Sequence, residues 1–227
     1  TDTSIFTVTV TGPNTNDARP VSANNSQPYS LLAGTYSVTD TNPGQSWAAP
    51  QYTNCTDVVV SAGQTAYCTI TNTKLGTITV IKNAVGEFLG NESFSFGGDL
   101  GSFSLPSGPF EDTASWSKAS GWLNPGQYTV TETPLANWDI TDISCTDNNG
   151  LVNLQNGQAV LNLDPGENIT CTFTNTERGS ITAQNIINGS GGNFTFDLSG
   201  PTPGSYTDNG AFVHLFASLL AGNYSLT

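Results

Sequence analysis

Apolar and polar residues alternate with a period of two through much of this chain. The clearest stretches are four segments rich in Thr, Val and Ile, with the sequences FTVTVT, TITVIK, QYTVTET and ENITCTFTNT. Because successive side chains of a strand point to opposite faces of a sheet, the pattern predicts half-buried β-strands. Gly-Pro, Pro-Gly and Asn-Gly pairs separate the segments and predict tight turns. The chain is therefore predicted to be all-β.

The same short motifs recur along the chain in the same order. LLAGTY at 31–36, LNPGQY at 123–128 and LLAGNY at 219–224 share one pattern. CTITNTKLGTIT at 68–79 returns as CTFTNTERGSIT at 171–182, which is 103 residues later. Repeats of this length, with about seven strands each, indicate tandem antiparallel β-sandwiches of the immunoglobulin-like type.

The repeats predict three domains arranged head to tail. Residues 1–75 form a sandwich that lacks its first strand, 76–178 a complete one, and 179–227 the N-terminal part of a third. The incomplete ends have two interpretations: a segment of a longer array, or domains completed by neighbouring copies through strand exchange. Only two residues separate the last strand of one domain from Gly76 or Gly179 of the next, which predicts a semi-rigid rod.

Three of the predicted strands end their apolar, core-facing rows with a polar residue. In TITVIK, QYTVTET and CTFTNT the period of two places Lys82, Glu132 and Asn175 on the same faces as the apolar residues before them. A buried amine or carboxylate is costly unless it is paired. Three such residues in one domain therefore indicate a joint role.

The order ITVIK, LNPGQYTVTETPLANW and CTFTNT resembles the Cna protein B-type and SpaA-like (prealbumin-like) repeats of bacterial surface proteins and pili. The resemblance covers the whole middle repeat, and its most specific part is PGxYxxxET. It implies a prealbumin-like sandwich and an intramolecular isopeptide bond from a first-strand lysine to a last-strand asparagine, assisted by a glutamate. Carried over by position, Lys82 is the nucleophile, Asn175 the electrophile and Glu132 the proton shuttle.

Burial favours this reaction, because it lowers the pKa of a lysine and raises the pKa of a carboxyl group. The bond would close a loop of 94 residues, which by analogy with a disulfide restricts the unfolded chain by about 4–5 kcal/mol. The alternative is a half-buried Lys–Glu pair without a covalent bond. In the first repeat Asp40 and Asn72 stand at the positions of Glu132 and Asn175, while in the third Asn185 replaces the lysine and no bond is expected.

The four cysteines fall into one pair in each of the first two repeats. Each pair has one cysteine in the strand that follows a tryptophan and one in the last strand. Without a CxxC motif or a neighbouring histidine, zinc binding is not expected. Disulfides Cys55–Cys68 and Cys145–Cys171 are predicted, and they indicate an oxidising, extracellular location. Most relatives with isopeptide bonds lack cysteines, so a disulfide is an alternative clamp.

Charge and composition argue against several classes of function. The chain has 5 Lys and Arg against 18 Asp and Glu, and this net charge of −13 repels nucleic acids and anionic lipids. No apolar run reaches the roughly 18 residues of a membrane helix. His214 is the single histidine and lies between apolar residues, so we expect it at a strand or core edge. We therefore predict no enzyme activity, no cofactor and no metal site.

Two further groups of residues have a candidate ligand and a plainer interpretation. The acidic residues Asp139 and Asp142 and the segment 146–150 lack the spacing of a calcium loop, which favours solvated turns. Trp116 and Trp122 are a residue type that stacks on sugars, but we expect both to be buried under a loop.

Two functional classes remain. The first is a structural role in an extracellular stalk or pilus-like filament, with neighbouring copies or repeats as partners. The second is an adhesin whose loops bind a host protein or glycan that the sequence does not specify, with the segment 103–120 as the one long insertion. Spacer domains of a large secreted enzyme are a third possibility. The repeats, cross-links and small polar surface residues favour the first class.

Overall fold

The structure is a computed structural model, and it describes residues 4–41, 44–86, 92–106 and 116–227. Within these ranges the regular secondary structure is β-strand apart from short 3-10 turns, which confirms the all-β prediction. No helix of this described part is long and apolar enough to cross a membrane.

The chain divides into two compact units. Unit 1 comprises the chain up to Thr77 together with Gly121–Gly126 and Leu163–Asn168. Unit 2 comprises Ile78–Ser120, Gln127–Asn162 and Ile169–Thr227. The division into three domains at residues 75 and 178 remains a prediction.

The first six strands lie in unit 1. They are β1 (Ile5–Gly12), β2 (Thr15–Ser22), β3 (Gly34–Asp40), β4 (Gln51–Thr53), β5 (Val58–Val60) and β6 (Thr69–Thr71). One sheet has the order β2-β1-β3-β5, and β4 and β6 form a separate antiparallel pair. Pro20 lies in the edge strand β2, where its missing N–H removes no hydrogen bond from the interior of the sheet.

The repeated LxAGxY motif builds a tyrosine turn. In unit 1 the buried Tyr36 donates its hydroxyl to the carbonyl of Leu32 at 2.9 Å. Gly12 leaves room for the ring, because a Cβ at this position would overlap Tyr36. Tyr224 repeats the arrangement in unit 2, with its hydroxyl 2.9 Å from the carbonyl four residues earlier. The copies at Tyr36 and Tyr224 therefore form the same local turn.

In the described part of the chain, fourteen strands follow from residue 77 onward. They are β7 (Thr77–Val85), β8 (Ser93–Gly98), β9 (Phe103–Pro106), β10 (Ser117–Ala119), β11 (Gly126–Glu132), β12 (Trp138–Cys145), β13 (Leu151–Asn153), β14 (Gln158–Leu163), β15 (Asn168–Glu177), β16 (Gly179–Asn185), β17 (Asn193–Ser199), β18 (Gly204–Asn209), β19 (Phe212–Leu219) and β20 (Ser225–Leu226). The 3-10 helix Leu154–Asn156 lies between β13 and β14.

Two sheets of unit 2 face each other as a sandwich. Their strand orders are β10-β7-β15-β12 and β13-β14-β11-β8-β9. Rings from opposite sheets meet edge to face, with centroids 5.3 Å apart for Phe96 and Phe173 and 5.3 Å apart for Phe94 and Trp138. Alternate residues of β7 are buried from Ile78 to Ala84, as the sequence pattern predicts.

The first and last strands of this sandwich, β7 and β15, are neighbours that run parallel. Thr77 at the start of β7 bonds Asn168 at the start of β15, and Lys82 further along β7 bonds Asn175 further along β15. Contacts therefore advance in the same direction on both strands. Tension that enters at the start of β7 and leaves at the end of β15 shears this pair.

The last segment of unit 2 has a small core of its own. β16 pairs with β19, and β17 lies between β18 and β20. Ala183, Leu198, Phe216 and Leu219 form the buried cluster. His214 stacks on Tyr206 with ring centroids 3.7 Å apart, so it occupies the half-buried strand position expected from its apolar neighbours.

Candidate cross-linking site

Lys82, Glu132 and Asn175 meet inside the sandwich of unit 2. Their exposed fractions are 2%, 0% and 0%, and among the described residues they are the buried polar or charged ones. Lys82 comes from β7, Glu132 from the end of β11 in the opposite sheet, and Asn175 from β15. The geometry therefore brings together the three residues that the sequence pattern selects.

The asparagine amide lies between the amine and the carboxyl group. Lys82 Nζ donates to Asn175 Oδ1 at 2.8 Å, and Asn175 Nδ2 donates to Glu132 Oε1 at 2.6 Å. The same Oε1 is 3.7 Å from Lys82 Nζ. Glu132 thus contacts both the nitrogen that would leave the amide and the nitrogen that would replace it.

The amine of Lys82 is buried beside an aromatic ring and donates to two backbone carbonyls in addition to Asn175. Nζ is 4.3 Å from the centre of the Phe94 ring and donates to the backbone carbonyls of Phe173 at 3.1 Å and Asn83 at 3.0 Å. Burial lowers the pKa of Lys82 to about 8, against the opposing influence of the Glu132 carboxyl. This increases the fraction of Lys82 that is in the neutral, nucleophilic form at neutral pH.

Burial favours the neutral form of the Glu132 carboxyl group. Burial raises the pKa of Glu132, although Lys82 and the hydrogen bond from Asn175 act in the opposite direction. Its Oε2 is buried and has no hydrogen-bond partner among the described residues. An ionised carboxylate in this setting would be costly, whereas a protonated one places its O–H in the site.

The backbone of Glu132 is fixed by the turn after the 3-10 helix. Glu132 N donates to the carbonyl of Gly157 at 2.8 Å. Gly157 has φ 60°, and a Cβ there would lie 2.6 Å from Ile140 Cδ1 and 2.9 Å from Glu132 O. Only glycine fits this position, so the Asn-Gly pair of the sequence does more than end a helix. The sequence analysis missed Gly157, as it missed Phe94.

The structure pairs all four cysteines as disulfides, Cys55 with Cys68 and Cys145 with Cys171. Cys145 and Cys171 face each other in the register of β12 and β15. The second disulfide therefore ties β15 to one neighbour, while the candidate isopeptide would tie it to the other.

The equivalent positions of the other repeats differ from this triad. In unit 1 Asn72 Nδ2 donates to Asp40 Oδ2 at 2.6 Å, so the predicted acid–amide pair is in contact. At the position of the lysine in the last segment, Asn185 donates its side-chain amide to the carbonyl of Gly210 at 2.9 Å.

The remaining candidates are not assembled into a site. Trp116 is buried as expected, but Trp122 is 49% exposed, so the prediction of burial was wrong there; it lies in a turn beside β11 rather than under a loop. Asp139 forms a two-bond ion pair with Arg178. Among the described residues no three acidic, histidine or cysteine side chains converge as metal ligands. Of the segment 103–120, residues 107–115 lie outside the described part, and its flanks are β9 and β10 rather than a free loop.

Residues 78–177 match the family model of the SpaA-type prealbumin-like fold domain. The matched segment runs from β7 to the last residue of β15 and contains the whole Lys82, Glu132 and Asn175 triad. This segment of the chain is therefore similar to the SpaA-type prealbumin-like domain. No curated protein has a significantly similar sequence.

Solved structures of low sequence identity are also similar to the chain. A bacterial adhesin from Mobiluncus mulieris, containing intramolecular disulfide, isopeptide and ester bond cross-links, is 12% identical, with coverage of 77% of this chain and 85% of that one and a TM-score of 0.36. The Bacillus anthracis TIE protein is 14% identical, with coverage of 98% and 41% and a TM-score of 0.33, so the chain spans less than half of it. A streptococcal ancillary pilin is 12% identical, with coverage of 93% and 72% and a TM-score of 0.32.

The two disulfides bear on the location of the protein. Disulfides persist in oxidising compartments rather than in the cytoplasm, so they indicate that the chain resides outside the cytoplasm.

Proposed function

We propose that this chain is a covalently cross-linked structural segment of a bacterial surface stalk or pilus-like filament. The observation that supports it is the hydrogen-bonded row of Lys82, Asn175 and Glu132, which joins the first and last strands of the SpaA-type domain in an apolar interior. The neutral amine, the amide and the neutral carboxyl group are the three groups that amide exchange requires.

The reaction is a balanced transamidation. The lone pair of Lys82 Nζ attacks Cγ of Asn175, an Nζ–Cγ bond forms, and the Cγ–Nδ2 bond breaks. Glu132 gives one proton to Nδ2 and takes one from Nζ, so it ends unchanged and ammonia leaves. Glu132 Oε1 is hydrogen-bonded to Nδ2 at 2.6 Å and lies 3.7 Å from Nζ, so one carboxyl group is near both nitrogens.

The position of the bond between β7 and β15 would make the domain resistant to extension. β7 and β15 are the strands through which tension enters and leaves the domain, and they are adjacent and parallel. A covalent link between them carries the force directly from Lys82 to Asn175. The chain between these positions, with a sequence separation of 93, is then protected from extension.

Force spectroscopy on the full chain tests this function. Under reducing conditions the wild-type domain should release no length between Lys82 and Asn175. Lys82→Met, which keeps the stem but removes the amine, should release 93 residues, or about 310–330 Å of extended chain. Lys118→Met on the exposed surface of β10 is the matched control and should behave as wild type. Equal extension of wild type and Lys82→Met would contradict the proposal.

An adhesin is the alternative, and the exposed ring of Trp122 is the observation that favours it. Exposed aromatic rings supply much of the binding energy at recognition surfaces. Trp122→Ala and replacement of 107–115 by a Gly-Ser linker leave the triad in place. If these changes abolish cell attachment while filaments remain intact, the adhesive role replaces the structural one.

A further inference from the structure

Strand β12 contains one residue more than the stretch of β15 with which it pairs. Ile140 lies opposite Asn175. Two residues later, Asp142 lies opposite the adjacent Thr174, so Thr141 is the extra residue of a β-bulge. Bulges bend a strand and re-aim the side chains beside them, and they are frequent next to functional sites. This bulge lies beside the residue that supplies the amide of the candidate cross-link.

The bulge allows both halves of β12 to face the core. Trp138 and Ile143 are both buried, although an odd number of residues separates them and a regular strand would place them on opposite faces. With the extra residue between them, Ile143 lies opposite the buried Phe173. The disulfide Cys145–Cys171 follows in the same register. The bulge therefore reconciles the disulfide at one end of β12 with the buried tryptophan at the other.

The hydroxyl of Thr141 contacts β15 on both sides of Asn175. Thr141 Oγ1 donates to the carbonyl of Thr174 at 3.3 Å, and it lies 3.0 Å from Oγ1 of Thr176, which can supply its own proton. From β7, Asn83 Nδ2 lies 3.5 Å from Oγ1 of Thr174. These contacts are on the outward face of the sheet, whereas Asn175 points inward. They join the three strands β7, β15 and β12 at the level of Asn175.

The outward contacts support the amide from the side that takes no part in the reaction. On the inward side Asn175 is held by Lys82 and Glu132, which are the groups that would react with it. A displacement of about 1 Å between reacting groups can slow a reaction by about 100-fold. The backbone at Thr174 and Thr176 therefore needs a support that does not change as the reaction proceeds.

We propose that Thr141 is a positioning residue for the cross-link, because its hydroxyl holds β15 on both sides of Asn175 and keeps the amide carbon within reach of the Lys82 amine. The inference rests on the transamidation proposed above and alters none of its bonds: Nζ–Cγ forms, Cγ–Nδ2 breaks and ammonia leaves. The hydroxyl lies on the opposite face of the sheet from these atoms. Thr141 therefore changes the rate at which the bond forms and leaves the product the same.

The rate of ammonia loss from the full chain tests this role. Time-resolved intact-mass analysis of chains freshly synthesised under oxidising conditions measures the rate. Thr141→Val keeps the branched shape but removes the hydroxyl, and it should cross-link about 3- to 10-fold more slowly. Thr141→Ser keeps the hydroxyl but loses the methyl group, and it should cross-link at close to the wild-type rate. A residue that acted only through packing would give the reverse order.

Thr172→Val is the matched control, because Thr172 lies on the same face of β15 but opposite Ser144, away from the bulge. It should cross-link like wild type. In every variant, formation of the Cys145–Cys171 disulfide reports that β12 and β15 have paired.

Three results would overturn the inference and leave the proposed function intact. They are a wild-type rate in Thr141→Val, a rate in Thr141→Ser as low as in Thr141→Val, and equal slowing by Thr172→Val. A Thr141→Val chain that fails to form the disulfide would also overturn it, since the hydroxyl would then be needed for folding rather than for positioning. A wild-type chain that never loses ammonia would overturn the proposed function, and this inference with it.

Discussion

Lys82 Nζ and Asn175 Oδ1 lie 2.8 Å apart in the interior of the SpaA-type domain, although 93 positions of sequence separate the two residues. The first belongs to the strand that opens the domain and the second to the strand that closes it. Because these strands are parallel neighbours, one bond between the two side chains is enough to join the ends of the domain.

The carboxyl group of Glu132 is predicted to be essential for bond formation. Glu132→Gln keeps the size and the hydrogen-bonding capacity of the side chain but cannot shuttle protons, so the bond should form at least about 100-fold more slowly. Intact-mass analysis of the purified variant should give the full mass of its sequence, without the loss of one ammonia. Asp142→Asn, at an exposed acid on β12, should cross-link like wild type. Normal cross-linking of Glu132→Gln would remove the glutamate from the mechanism.

In a variant that cannot cross-link, the buried amine of Lys82 should make the free energy of unfolding depend on pH. In Asn175→Ala, Lys82 keeps a pKa of about 8 in the folded state, because burial lowers it, and regains its ordinary 10.5 on unfolding. Between these values the unfolded chain binds more protons, so the free energy of unfolding should rise with pH from about 8 to 10.5. Urea denaturation across this range measures the slope.

The carboxyl group of Glu132 changes the free energy of unfolding of the same variant in the opposite direction. Burial raises the pKa of Glu132 above its ordinary 4.5, so the folded state keeps a proton that the unfolded chain loses, and stability falls as pH rises above 4.5. Lys82→Met combined with Asn175→Ala is the control for the amine. If the rise above pH 8 persists in that double variant, its source is not Lys82.

Gly157 is predicted to support the site through the backbone of Glu132. Gly157→Ala forces a Cβ against Ile140 and the Glu132 carbonyl at a φ of 60°, so it should destabilise the domain by about 1–3 kcal/mol and slow cross-linking. Gly97→Ala is the control, because a Cβ at Gly97 meets no atom within 4 Å. Time-resolved mass analysis of freshly synthesised chains and urea denaturation measure the two effects. Equal behaviour of both variants would contradict this role.

The Cys145–Cys171 disulfide should stabilise unit 2 independently of the isopeptide bond. It closes a segment with a sequence separation of 26, which restricts the unfolded chain by about 3–4 kcal/mol. In a Lys82→Met background, replacing both cysteines by alanine should lower the free energy of unfolding by about that amount. Removing Cys55–Cys68 in the same background should leave the unit 2 transition unchanged. A loss below about 1 kcal/mol for the unit 2 pair would show that β12 and β15 hold without the link.

Much of the site could be predicted from the period-two pattern. Alternation fixes which face of a strand each residue occupies, and so it identified Lys82, Glu132 and Asn175 as inward-facing. The repeats then placed Asp40 and Asn72 at corresponding positions, and the structure finds these two side chains in contact. The first inference uses only the pattern within a single strand, and the second uses only the comparison of that strand with its copy in another repeat.

Features that depend on packing between sheets were not predictable in this way. Phe94 approaches Lys82 from the opposite sheet, and alternation within a strand does not determine how two sheets are aligned. The contact of Gly157 with Glu132 lies within one sheet, and alternation along a strand does not determine which strands become neighbours. β2, with the sequence TNDARPVS, has no apolar alternation because it is an edge strand with an exposed face, so pattern alone does not reveal it.

The mass of the intact native chain tests the central claim most directly. The account predicts that unit 2 lacks the mass of one ammonia relative to its sequence, that fragmentation maps the loss to a bond between Lys82 and Asn175, and that reduction restores only the hydrogens of the disulfides. A mass without the ammonia deficit, measured on folded wild-type chain, would contradict it.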